Sequence, residues 1–82
     1  ALPDDEARAV RMLPPELRAV ADAVPMPPGL DVALSMTEGG AVCIHSRVMR
    51  CELYVKPAEL REQLQRLAHE FAELRELEGF AL

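Results

Sequence analysis

Residues 30–55, from Leu30 to Val55, read LDVALSMTEGGAVCIHSRVMRCELYV, and the way this stretch alternates decides the fold. From Leu30 to Met36, and again from Val42 to Val48, the even positions are almost all apolar. That is the period of a strand with one buried face. Glu38-Gly39-Gly40 separates the two runs with turn chemistry, so the segment reads as a β-hairpin. Loop length can be judged by the faces it creates, because slipping by one residue turns every side chain over. A three-residue loop with Gly40 left-handed pairs Met36 with Val42, Leu34 with Ile44, Val32 with Ser46 and Leu30 with Val48. One face is then nearly all apolar. The other receives Ser35 with Cys43, Ala33 with His45, and Asp31 with Arg47 as an opposite-charge pair. A two-residue Gly39-Gly40 loop would set Leu34 against His45 and Val32 against Arg47, mixing the faces.

After Val48 the alternation changes phase: Met49, Cys51, Leu53 and Val55 are apolar, with Arg50, Glu52 and Tyr54 between them. An adjacent apolar pair at such a slip is what a β-bulge produces, so the second strand is expected to run on, bulged, to residue 56. Residues 50–55 then outrun the first strand, and their backbone groups need a partner. A second copy of the same segment is the economical one, a partner's strand serves equally, and the alternative is an ordinary internal strand covered by the chain's own N-terminal segment. Arg50, Glu52 and Tyr54 would face outward on this strand edge and select the partner.

Downstream, between Pro57 and Gly79, Leu60, Leu64, Leu67, Phe71, Leu74 and Leu77 recur at helical spacing among charged residues. They form one apolar stripe on a helix about 33 Å long. So long a stripe on an 82-residue chain predicts cover from a second copy or another protein, with the chain's own N-terminal helices folding back over it as the fallback. Upstream, acidic Asp4-Asp5-Glu6 suits the start of a helix ending near Leu13. Pro14-Pro15 interrupts it, and a second short helix runs from Pro15 to Val24. Pro25 to Gly29 reads as an extended connector. The expected fold is a single α+β domain over residues 1–82: a helical segment at 1–24, a connector at 25–29, a hairpin with a lengthened second strand at 30–56, and a long amphipathic C-terminal helix at 57–79.

Composition narrows the function. The net charge is −5, divided as −2 over residues 1–28, zero over 29–56 and −3 over 57–82. An acidic chain is repelled by phosphate backbones and anionic lipid, so nucleic acid is a disfavoured partner. No apolar run is long enough to cross a membrane, and Ala1 to Glu6 lacks the basic and apolar regions of a signal peptide. A cytoplasmic location is expected. Eight arginines against one lysine, with abundant Ala and Leu, suggest a bacterial or phage origin.

No catalytic constellation stands out. Cys43, His45, Cys51 and His69 are zinc-ligand types, but their spacing is not that of a paired-ligand zinc site, so no metal or other cofactor is expected. Cys43 and His45 flank Ile44 on one strand face, about 6.5–7 Å apart and too far for direct proton transfer. One extended strand cannot bring Cys43 and Cys51 within disulfide range, so both are expected as reduced thiols. Carboxylates on the long helix read as solubility and helix pairing, as with Glu62 and Arg66 at i, i+4.

Met49 to Ala68, an alternating strand running into an amphipathic helix, resembles the strand and first helix of ribbon-helix-helix repressors. The resemblance implies a dimer whose paired strands place Arg50, Glu52 and Tyr54 in a DNA groove. The chain departs from that pattern in carrying Glu52 on the reading face, in a helix unbroken to Leu77, and in leaving too little chain for a second helix. The primary expectation is a non-enzymatic, self-associating interaction module, a regulator, adaptor or inhibitor that forms a homodimer and contacts another protein. A small dimeric DNA-binding regulator is the alternative.

Overall fold

A computed structural model of the chain describes residues 12–81. It is α+β: helix α1 (Pro15–Asp22), strands β1 (Ala33–Met36), β2 (Val42–Ser46) and β3 (Cys51–Val55), a single 3-10 turn (Pro57–Glu59), and helix α2 (Leu60–Ala81). The strands form one antiparallel sheet in the order β1-β2-β3.

The β1–β2 register is the one the face argument selects: Ala33 opposite His45, Leu34 opposite Ile44, Ser35 opposite Cys43 and Met36 opposite Val42. Thr37 N–H donates to the Ala41 carbonyl at 2.8 Å and Gly40 N–H to the Thr37 carbonyl at 3.0 Å, closing the Glu38–Gly40 loop. Gly40 takes φ +90°, a conformation that strains any residue with a Cβ. Pairing stops at Ala33, so the expected Val32–Ser46 and Leu30–Val48 pairs do not form in the sheet.

The lengthened second strand is corrected. Residues 47–50 make a tight turn, closed by Arg50 N–H on the Arg47 carbonyl at 3.1 Å, with Arg50 left-handed at φ 53°. The chain reverses there, and β3 returns along β2 with Val55 opposite Val42, Leu53 opposite Ile44 and Cys51 opposite Ser46. A bulge and a reversal both switch the phase of alternation. The backbone groups of Cys51, Leu53 and Val55 thus find a partner inside the chain, and β2 becomes the central strand.

One face of the sheet carries Leu34, Met36, Val42, Ile44, Leu53 and Val55, and both helices pack on it. Val42 and Ile44 are wholly buried there beneath Leu60, Leu64 and Leu67. Only Lys56 and the 3-10 turn separate β3 from α2, and Pro57 at the first position of that turn costs no hydrogen bond. The stripe therefore lies on the chain's own sheet. Leu60, Leu64, Leu67 and Phe71 are buried without a second copy, whereas Leu74 and Leu77 are exposed. Leu13, Ala21 and Val24 close the core from the α1 side.

The second N-terminal helix is present as α1, two residues shorter than expected. Of the helix expected to end at Leu13, residues 1–11 lie outside the described residues, and Met12 to Pro14 are not helical. The connector is not extended throughout: Leu30 N–H reaches the Pro27 carbonyl at 3.2 Å, with Gly29 at φ +93°. A Cβ at Gly29 would sit 3.1 Å from Arg75 Nη1 and 3.5 Å from Phe71, so the turn presses directly on α2.

Candidate interaction surface

The outer edge of β3 is where a backbone with no partner among the described residues meets an apolar groove. The bonded pair Thr37–Ala41 sets the parity of the sheet, because bonded and non-bonded pairs alternate along antiparallel strands. Residues 43 and 45 then bond toward β1, residues 42, 44 and 46 toward β3, and Cys51, Leu53 and Val55 back toward β2. The N–H and C=O of Glu52 and Tyr54 point away from the sheet. Among the described residues no strand pairs with this edge.

Beside the edge, Met49, Cys51, Leu53 and Leu67 floor a groove between β3 and α2, and Gln63, Arg66 and Glu70 rim it. Strand alternation builds the floor from β3, and α2 contributes Leu67 from its buried stripe. At the other sheet margin, α1 and the connector flank β1: Ala21, Met26, Val32, Leu34 and Leu64 line one shared groove there.

The face of the sheet turned away from the helices carries Ala33, Ser35, Cys43, His45, Glu52 and Tyr54. Glu52 Oε1 accepts from the Tyr54 hydroxyl at 3.0 Å and from the Cys43 thiol at 3.7 Å. The Glu52 carboxylate pushes the exposed Tyr54 phenol up to about 12. Burial, with Glu52 adding to it, pushes the Cys43 thiol above its ordinary value. Both groups hold their protons at neutral pH, and the nucleophilic thiolate is disfavoured.

Of the three residues expected to select a partner, Glu52 and Tyr54 stand exposed on β3, while Arg50 belongs to the 47–50 turn. Of the six stripe residues, four are in the core and only Leu74 and Leu77 have surface to offer. Val48, Leu74 and Arg75 meet around Gly29 at that end, with the Arg75 guanidinium 5.7 Å from the centre of the Phe71 ring.

The four zinc-type residues do not converge: Cys43 and Cys51 sit on opposite faces of the sheet, and His69 is out on α2 beside Glu73 at 2.8 Å. Both cysteines are free thiols. The Glu62–Arg66 pair forms at 4.0 Å on an exposed face, where it adds little.

Sequence reasoning missed the role of Asp31. Its carboxylate does not pair with the Arg47 side chain as expected. Instead Oδ2 accepts the Arg47 N–H at 3.0 Å, and Oδ1 accepts the Val48 N–H and the Ser46 hydroxyl, both at 3.1 Å. Ser46, fully buried, accepts the Met49 N–H at 3.2 Å. These bonds hold the β2–β3 turn and hence the edge that follows it. The visible signal was an Asp just before a strand, opposite a segment with no glycine.

Comparison with known protein families, curated proteins and solved structures finds no match.

Proposed function

We propose that the chain is a non-enzymatic, self-associating protein–protein interaction module, a regulator, adaptor or inhibitor, with the outer edge of β3 as its contact surface. The observation that carries this reading is the coincidence of outward-pointing Glu52 and Tyr54 backbone groups, which no strand among the described residues pairs, with an apolar-floored, polar-rimmed groove. Added strands gain affinity from main-chain hydrogen bonds and specificity from pockets for alternate side chains. Exposed Leu74 and Leu77 offer a second, smaller apolar contact for another protein. Two free thiols suit the reducing cytoplasm of a bacterial or phage-infected cell. The DNA-binding alternative gains no support, since β3 is paired within the chain and α2 runs unbroken to Ala81.

Backbone chemical-shift mapping over a concentration series tests the reading. Concentration-dependent shifts should gather on Cys51–Val55, Gln63 and Arg66. Shifts confined to the β1 margin would refute it.

A further inference from the structure

Resting on that reading of the β3 edge, we infer that its occupant is a second copy of this chain, paired antiparallel about Tyr54 into one continuous six-stranded sheet. Three features of the edge identify the occupant and the register.

The first is parity. Outward-pointing groups must meet outward-pointing groups, so a two-fold pairing has to centre on a residue, and only a few centres lie within the strand. Centred on Glu52, the pairing sets Glu52 against Glu52 of the second copy, a like-charge contact that opposes association. A centre at Leu53 leaves Glu52 opposite Tyr54 and brings Arg50 toward Lys56, both cations. Centres at Cys51 or Val55 run half of the ladder into the 47–50 turn or the 3-10 turn.

The second feature is charge. About Tyr54, Glu52 lies opposite Lys56 of the second copy, and symmetry supplies this pair twice. Lys56 is extended (φ −72°, ψ 147°) and exposed, so it continues the line of β3, and the same parity aims its N–H outward. Tyr54 meets Tyr54 of the second copy on the open face, an aromatic cross-strand pair.

The third is the groove. In this register Leu53 lies opposite Val55 of the second copy on the helix-covered face. The second strand's apolar residues therefore stand beside the Met49, Leu53 and Leu67 floor. Pro57 falls at a position whose backbone faces away from the new partner, so its missing N–H does not interrupt the ladder.

Charge reversal tests the register on the whole chain by sedimentation equilibrium. Glu52→Lys sets two lysine pairs face to face, and Lys56→Glu sets two glutamate pairs. Each should weaken self-association on the order of tenfold or more. The E52K/K56E double variant should restore the homodimer, and an equimolar mixture of the two single variants should form a heterodimer. Glu52→Pro separates the register from the edge itself. It removes an N–H that points outward, not one used by β2, so the variant should keep its circular dichroism and become monomeric. A folded E52P that still dimerises overturns the β3 edge as the contact surface. A monomeric E52P alongside single variants that dimerise normally, or a double variant that fails to dimerise, overturns the Tyr54-centred register. A wild-type chain that stays monomeric at hundreds of micromolar overturns the second copy as occupant.

Discussion

Asp31 shows how one carboxylate can organise a turn that lacks the usual turn residues. Arg47-Val48-Met49-Arg50 contains no Gly, Pro, Asn or Asp, and the acceptor that gathers its amides comes from before β1. The backbone N–H groups of Val48 and Arg47 hold the Asp31 carboxyl below its ordinary value. A group whose folded-state pKa is depressed stabilises the fold above its unfolded pKa, and that contribution is lost as pH falls through the folded value. Asp31→Ala should therefore lower the urea midpoint at neutral pH, with the gap to wild type closing below about pH 4, where the unfolded carboxyl is already protonated. A gap that stays constant from neutral pH to acid would show that the charge is not what holds the turn. This contact was hidden in the sequence because charge pairing across strands suggested the Arg47 side chain, and nothing in residue type alone distinguishes a guanidinium from a peptide N–H as the donor.

Among the elements, the hairpin was legible and the third strand was not. Leu34, Ile44 and Val42 specify their register because only one loop length buries them together. The Val48-Met49 phase change was read as a bulge, although a reversal produces the same pattern. What separates the two is backbone conformation at Arg50, and a left-handed arginine leaves no trace in composition. Its φ of 53° carries a cost that glycine would not. Arg50→Gly should thus raise stability by up to about 1 kcal/mol, and Arg50→Val should lower it by about 1–2 kcal/mol. Chemical denaturation of both variants checks the turn. Equal midpoints would contradict it.

At the scale of the molecule, the leucine stripe is a buried face from Leu60 to Phe71 but not at Leu74 and Leu77, and its cover is the chain's own sheet where the sequence pointed to a second copy or another protein. Alternation and helical period say which side of an element is apolar; they do not say that three strands and a short helix are wide enough to receive 60–71. Self-cover has a measurable signature. Leu67→Ala should cost about 2–5 kcal/mol at any protein concentration, because Leu67 is buried within one chain. Arg66→Ala, on an exposed face, should stay within about 0.5 kcal/mol. A Leu67→Ala cost that vanished on dilution would instead place that side chain in an intermolecular core. Of the candidate surface, Glu52 and Tyr54 were readable from alternation, but the free backbone beside them could be located only once β3 was seen to pair with β2. If this backbone is the contact, amide hydrogen exchange followed over a protein concentration series will register it. The N–H groups of Leu53 and Val55, bonded within the sheet, should be protected at every concentration, while those of Glu52 and Tyr54 should gain protection only as concentration rises. Exchange at Glu52 and Tyr54 that is equally fast in dilute and concentrated protein would contradict the account.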